Sequence, residues 1–264
     1  MVTREDPIGV FDSGVGGISV LRQLRKELPR ERFLYFGDSA NAPYGSRTTE
    51  EVRQLSCNVA ETLLKKGIKA LVVACNTATS AAIETLRQTY PELIIVGIEP
   101  ALKLACDRFP GETLGVMATE VTLRERKFAK LMASCARDCQ VVKLPAPGLV
   151  ELVESGKANS PESEALLRPL LEPWKGRLKA LVLGCTHYPF SADTVAHILG
   201  PETVLLDGGI GTARQTHRLL EARNLLREGE GEVIFENSLH SDRITALCRQ
   251  LLGEEPISGS HYEL

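Results

Sequence analysis

Ile68-Lys69-Ala70-Leu71-Val72-Val73-Ala74-Cys75-Asn76-Thr77-Ala78-Thr79 is spelled a second time as Leu178-Lys179-Ala180-Leu181-Val182-Leu183-Gly184-Cys185-Thr186-His187-Tyr188-Pro189. Each copy starts on an apolar residue, runs through Lys-Ala-Leu-Val and reaches a cysteine at the same offset. An apolar, partly β-branched run bounded by Gly67 or Gly176 on one side and polar residues on the other reads as a buried strand. Helical patterning follows both copies, so Cys75 and Cys185 are each expected where a strand ends and a helix begins. In open α/β sheets that carboxyl end is where ligands bind. Two cysteines at equivalent places in two similar units could face one cleft from opposite sides.

Working outward, the flanking sequence repeats the same order. A strand pattern at 7–11 runs into Asp12-Ser13-Gly14-Val15-Gly16-Gly17 and a helix to about Leu28. A second strand at 32–37 leads to Asn41-Ala42-Pro43-Tyr44-Gly45, and helical spacing covers 49–66, with Thr48 or Thr49 and Glu51 placed for an N-cap. The first cysteine strand, a helix to about Tyr90 and a strand at 93–98 complete the unit. Leu114-Gly115-Val116-Met117 then echoes Ile8-Gly9-Val10-Phe11. A helix over about 122–135, a strand at 140–144, a helix ending near Trp174, the second cysteine strand and a strand at 204–207 follow. An echo at roughly 105–110 residues argues for two related units. Strands alternating with helices argue for parallel sheets covered on both faces.

The expected fold is therefore α/β: two similar domains with mainly parallel sheets flanked by helices, and an active site in the cleft between them. The remainder, 208–264, is mostly helical with a strand at 232–236, and it is too short for a third domain. It is expected to pack back onto the first unit. Residues 1–98 plus 208–264 then form a discontinuous first domain, and 99–207 form the second. A chain of 264 residues has room for this division.

Composition narrows the function classes. The apolar share is 43% and the net charge -3, with acids and bases mixed, so no nucleic-acid footprint is expected. No apolar run nears the ~20 residues of a membrane-spanning helix, and no secretory signal opens the chain. The expected address is cytoplasmic, with no membrane partner. Seven cysteines without a small-scaffold pattern are expected to be free thiols, most of them packing residues.

Each candidate site residue has an ordinary reading beside the functional one. A single cysteine ending an apolar strand is ordinarily structural, but here it occurs twice, each time followed by polar residues that a core would not select. A thiol beside a helix N-terminus is expected to have a lowered pKa. Two facing thiols suit proton transfer at one carbon, one acting as thiolate base and the other as thiol acid. Neither copy is C-x-x-C, which disfavours dithiol redox chemistry. His187 beside Cys185 admits metal ligation, yet no tetrahedral ligand set occurs at ordinary spacing.

The Asp12 loop is either a polar turn with a helix cap or a carboxylate available to a substrate ammonium or to a thiol. Its counterpart in the second unit is Ala118, so the two halves are chemically unequal there. His187 is either a helix-start histidine or a proton relay for Cys185. Glu154 reads by spacing as a solvated helix face. Pro43-Tyr44-Gly45 is a turn whose backbone N–H groups could hold a carboxylate.

Taken together, these residues resemble the glutamate racemases, cofactor-independent enzymes of the aspartate/glutamate racemase superfamily. The resemblance is carried by Phe11-Asp12-Ser13-Gly14-Val15-Gly16-Gly17, Gly37-Asp38 with Pro43-Tyr44-Gly45, Ala74-Cys75-Asn76-Thr77-Ala78, Gly97-Ile98-Glu99-Pro100-Ala101 and Leu183-Gly184-Cys185-Thr186-His187-Tyr188-Pro189. It implies interconversion of L- and D-glutamate, with no cofactor, no metal and glutamate as the small-molecule partner, supplying D-glutamate for peptidoglycan. Racemases of this family often dimerise, so a homodimer is the oligomer it implies.

By motif, Cys75 would take the α-proton of D-glutamate and Cys185 that of L-glutamate. Asp12 and His187 would assist their respective sides, and Glu154 would be the acid beside the histidine. Asp12, Ser13, Pro43, Tyr44, Gly45, Asn76, Thr77, Thr122 and Thr186 would hold the substrate. The chain departs from the family's usual form at Thr79, Val121, Ala146 and Gly208. Aspartate-type relatives carry an acid where His187 stands, which favours glutamate. Two other classes fit paired polar strand ends: a hydrolase or lyase with one nucleophilic thiol, and a two-lobed amino-acid-binding module.

Overall fold

The computed structural model describes residues 2–124, 126–135 and 139–253. The first half runs β1 (Ile8–Asp12), α1 (Ile18–Glu27), β2 (Arg32–Gly37), α2 (Thr49–Lys65), β3 (Ala70–Val73), α3 (Asn76–Thr89) and β4 (Ile94–Gly97). Then come α4 (Leu102–Arg108), β5 (Thr113–Ala118), α5 (Glu120–Arg124), α6 (Arg126–Cys135), β6 (Gln140–Pro145), α7 (Leu149–Glu154) and α8 (Pro161–Leu171). The chain continues through β7 (Ala180–Leu183), α9 (Ala192–Leu199), β8 (Val204–Asp207), α10 (Gly209–Ala222), β9 (Glu232–Asn237) and α11 (Asp242–Leu252).

These strands make two parallel sheets, ordered β4-β3-β1-β2-β9 and β6-β5-β7-β8. Their registers repeat: Ile8 lies opposite Ala70 in the first sheet, and Leu114 lies opposite Ala180 in the second. The cysteine strands β3 and β7 therefore hold equivalent places, each beside the strand that begins its unit's echo. β9 extends the first sheet beyond β2, with Arg32 opposite Glu232 and Gly37 opposite Asn237.

Period-two alternation divides each strand between two cores. Ile8, Val10, Ala70 and Val72 point to the face covered by α1, α10 and α11, where Leu21, Leu24, Leu220 and Leu251 pack. Phe11, Leu71 and Val73 point the other way, onto Val59, Leu63 and Leu86 of α2 and α3. In the second sheet Leu181 and Leu183 face Leu167, Leu171 and Ile198, while Ala180 and Val182 face Leu102 and Phe128. Because both faces are covered, the strands read as continuous apolar runs rather than as alternating ones.

Local signals explain the helix starts. Thr48 caps α2 in a capping box, accepting from the Glu51 N–H while Glu51 Oε2 accepts from the Thr48 N–H at 2.9 Å. Lys69, the lysine of the repeated stretch, is wholly buried. Its Nζ meets Glu31 at 2.6 Å and donates to the carbonyls of Arg4 and Leu225 at 2.7 and 2.9 Å. That anchor ties the segment after α10 to the amino-terminal end of the first sheet.

Three details differ from the sequence reading. α4 occupies a stretch for which no helix was anticipated. The helix expected over about 122–135 is two segments, α5 and α6, with residue 125 outside the described residues. After the second cysteine no α-helix begins at once: a 3-10 turn at Tyr188–Ser191 intervenes before α9. Pro189 accounts for this, since a proline has no N–H and disfavours α conformation in the residue before it.

Candidate active site

The carboxyl ends of the two sheets meet. Asp12, the last residue of β1, is fully buried, and its Oδ2 accepts from Thr186 Oγ1 across the cleft at 2.9 Å. Its Oδ1 accepts from the Gly14 N–H at 3.0 Å, which bends the loop toward α1. Burial raises the Asp12 carboxyl, while the charge of His187 and the hydrogen bonds from Gly14 and Thr186 pull the other way. Tyr35 Oη donates to the Gly14 carbonyl at 2.7 Å and holds the loop from below.

Cys75 is the N-cap of α3. Its sulfur accepts from the Ala78 N–H at 3.4 Å and lies 3.8 Å from Ser13 Oγ, with 5% of the residue exposed. Burial, followed by the nearby charge of Asp12, pushes this thiol up to about 12, against the pull of Ala78. The lowered pKa expected beside a helix terminus does not occur here, because taking a thiolate out of water outweighs one capping amide.

Cys185 lies on the opposite wall, 7% exposed, its sulfur 3.8 Å from His187 Nδ1. It caps no α-helix, because the 3-10 turn separates it from α9. The two thiols therefore have different surroundings: a carboxylate and a hydroxyl near Cys75, an imidazole near Cys185.

His187 Nε2 and Glu154 Oε1 are 2.7 Å apart, and the same oxygen accepts from the Val15 N–H of the facing unit at 2.8 Å. Burial alone would lower the imidazole pKa. Hydrogen bonds to Cys185 and Glu154 outweigh it and raise the pKa well above the ordinary histidine value. Burial acts oppositely on Glu154, and the His187 contact again wins, leaving the carboxyl lowered. Both shifts favour the imidazolium–carboxylate form of the pair. Glu154 is not the solvated helix face that its spacing suggests, since its side chain is only 22% exposed and is engaged on both sides of the cleft.

Hydroxyl and amide groups complete the walls. Thr77 Oγ1 lies 3.1 Å from Thr119 Oγ1 and 3.4 Å from Thr122 Oγ1, and Thr119 and Thr122 are 3.0 Å apart. Val121, the departure noted in the sequence, leaves Thr122 buried and directed at Thr77. Asn76 is buried, and its Oδ1 has no hydrogen-bond partner among the described residues. Ser13 is buried next to Cys75, and Pro43, Tyr44 and Gly45 form a turn opposite Thr119. A Cβ on Gly45 would stand 3.0 Å from Thr119 Cγ2. A cavity of about 310 Å³ lined by Ser39, Pro43, Val150, Glu151 and Glu154 lies along this edge.

Contacts join Asp12 to Thr186, Ser13 to Cys75, and His187 to both Cys185 and Glu154; Thr77 and Thr122 line one wall, Pro43, Tyr44 and Gly45 stand along its edge, and Asn76 follows Cys75 at the start of α3. Thr119 and Ser19 were not singled out. Thr119 sits three residues before Thr122 and accepts from its N–H at 3.3 Å, a helix-start pattern legible as T-x-x-T. Ser19 donates to the Thr186 carbonyl at 2.9 Å from the other unit, and nothing in the local sequence announces that contact. Among the described residues no group of three or more His, Cys, Asp or Glu side chains is placed to hold a metal ion.

Residues 8–216 match the family model described as Asp/Glu/Hydantoin racemase. The chain is 48% identical to a glutamate racemase of Clostridium acetobutylicum over 255 residues, covering 96% of this chain and 99% of the relative. Among solved structures it is similar to glutamate racemase from Thermus thermophilus in complex with β-chloro-D-alanine, with a TM-score of 0.81, 38% identity and 94% of each chain covered. Glutamate racemase from Francisella tularensis in complex with D-glutamate is similar at a TM-score of 0.81 and 26% identity, again covering 94% of each chain. The chain belongs to the Asp/Glu/Hydantoin racemase family, among its glutamate racemases.

Proposed function

We propose that the chain interconverts L- and D-glutamate by moving one hydrogen off and another onto the α-carbon, using Cys75 and Cys185 on opposite faces and no cofactor. Its product D-glutamate would supply bacterial peptidoglycan synthesis in the cytoplasm. The observation that carries this reading is the pair of buried thiols on facing sheet ends, each with a different polar escort.

With L-glutamate bound, Cys185 as thiolate takes the α-hydrogen, and Cys75, which burial favours as the thiol, delivers its hydrogen to the other face. The C–H electron pair stays on the α-carbon until the new C–H bond forms. The enzyme is left with a Cys185 thiol and a Cys75 thiolate. That form is ready for D-glutamate, or returns to rest by exchanging a proton with water.

An amino-acid α-hydrogen is far less acidic than a thiol, so donors must stabilise the charge that spreads onto the α-carboxylate. The Thr77, Thr119 and Thr122 hydroxyls and the Tyr44–Gly45 backbone are the donors available, with Ser13 and Thr186 nearer the thiols. Asn76 Oδ1, buried and unpaired among the described residues, is an acceptor suited to the substrate ammonium. Contacts across the cleft exclude water and strengthen each of these interactions.

The test is polarimetry on the purified chain with L-glutamate and no added cofactor. The expected result is decay of optical rotation to zero, with D-glutamate accumulating to an equal share. An amino-acid-binding module would leave the rotation unchanged, and a hydrolase or lyase would consume glutamate without forming its enantiomer.

A further inference from the structure

We propose that Asp38 is a positioning residue. Its buried carboxylate fixes the turn from Asn41 to Gly45, and so sets the backbone that receives a carboxylate of the substrate. The inference rests on the glutamate reading above and adds a residue that touches neither substrate nor thiol.

Asp38 follows the last residue of β2 and is 3% exposed. Its N–H donates to the Asp12 carbonyl at 2.9 Å, so it continues the β1–β2 ladder past Gly37 and is tied to the residue beside both catalytic walls. Its Oδ2 accepts from Tyr44 Oη at 2.6 Å. Asn41 Nδ2 lies 3.0 Å from Oδ1 and 3.1 Å from Oδ2. Among the described residues the carboxylate is met by a phenol and an amide rather than by a cation. A buried carboxylate without a cation is costly, and an apolar side chain would close the same space at less expense. What the carboxylate supplies instead is two charge-assisted hydrogen bonds that lock both ends of the turn.

The turn is braced on its other sides too. Arg47 Nε donates to the Asn41 carbonyl at 2.8 Å, and the Tyr44 ring stands edge-on to Phe11 with centroids 6.2 Å apart. Burial and then the Asp38 contact raise the Tyr44 phenol, which keeps it a donor. Gly45 consequently stands against Thr119, where an added Cβ would lie 3.0 Å from Thr119 Cγ2. Small displacements of Asp38 would therefore reach the Thr77–Thr119–Thr122 wall through the Tyr44–Gly45 backbone.

The test compares wild type, Asp38→Asn, Tyr44→Phe and the double variant in steady-state racemisation of both glutamate enantiomers, with thermal melts by circular dichroism. Asparagine removes the charge and turns one acceptor oxygen into an NH2 donor, which weakens the anchors to Tyr44 and Asn41; phenylalanine removes one donor and keeps the ring. Each single variant is expected to raise KM about tenfold while kcat stays within about threefold, since the groups that move protons are untouched. The double variant is expected to raise KM no further than either single one, because the two residues act as a unit.

Wild-type turnover with an unchanged KM in Asp38→Asn, or a loss confined to kcat, would overturn the positioning role and leave the glutamate reading intact. Wild type without glutamate racemisation would overturn that reading and this inference with it. If Asp38→Asn fails to fold, Tyr44→Phe decides: a raised KM supports the role, and an unchanged KM overturns it.

Discussion

Replacing Cys75 or Cys185 with alanine is expected to abolish racemisation in both directions, not only the direction in which the lost thiol serves as base. Every turnover in the two-thiol scheme needs one base and one acid, so deleting either breaks both half-reactions. A positioned acid or base contributes about 10²–10⁴-fold, so each variant should retain at most about a hundredth of the activity. The fold should survive, because each change deletes one sulfur beside a polar cleft and leaves the strand backbone intact. A melt showing a native transition beside absent turnover is the expected pairing. If either variant kept more than about a tenth of the rate, a barrier change of only ~1.4 kcal/mol, that thiol would be a packing residue. Cys57, Cys106, Cys135, Cys139 and Cys248 lie outside the cleft, and their replacement should not produce such a loss.

The second large effect is expected at Gly16. A Cβ built there would stand 2.6 Å from both His187 Cε1 and Thr186 Oγ1. Neither neighbour can retreat freely. Thr186 is held by Asp12, and the imidazole is clamped between Cys185 and Glu154. The methyl of Gly16→Ala must therefore push the two sheet ends apart, with overpacking of this kind costing about 1–3 kcal/mol. Spent on opening the cleft, that amount lowers kcat/KM by about five- to 150-fold. Each sheet keeps its own cores, so the melting temperature should move far less than the rate. Kinetics and a melt on the same preparation check this. A Gly16→Ala enzyme with wild-type kcat/KM would show that close approach of His187 to the Asp12 loop is not required.

Much of this arrangement is legible in the chain because its signals are local. The two Lys-Ala-Leu-Val-to-Cys stretches, the Thr48 and Glu51 capping pair and the Pro43-Tyr44-Gly45 turn are each written within a few consecutive residues. The matching registers of β1 with β3 and of β5 with β7 follow from the same repeat. What the sequence hides depends on the two units coming together. The high pKa of the Cys75 thiol arises from burial that the helix-terminus argument could not anticipate. Glu154 reads as a solvated face because its partners, His187 and the Val15 N–H, lie on other elements. The delay of the helix after Cys185 is legible in Pro189, whose missing N–H breaks the symmetry of the repeat. Symmetry of sequence here does not extend to symmetry of chemistry: Asp12 has Ala118 as its counterpart, and each thiol has its own escort.

The central claim is that two separate thiols exchange the α-hydrogen, and it is tested most directly by running L-glutamate in heavy water and weighing both enantiomers at early times. A sulfur-bound hydrogen equilibrates with solvent between turnovers, so the hydrogen delivered by Cys75 should be deuterium. The expected result is D-glutamate deuterated at the α-carbon from the first turnovers, while recovered L-glutamate stays largely unlabelled. Early D-glutamate carrying mostly the original α-hydrogen would mean that one base returns the atom it removed. That result would contradict the two-thiol account even if both cysteines proved essential.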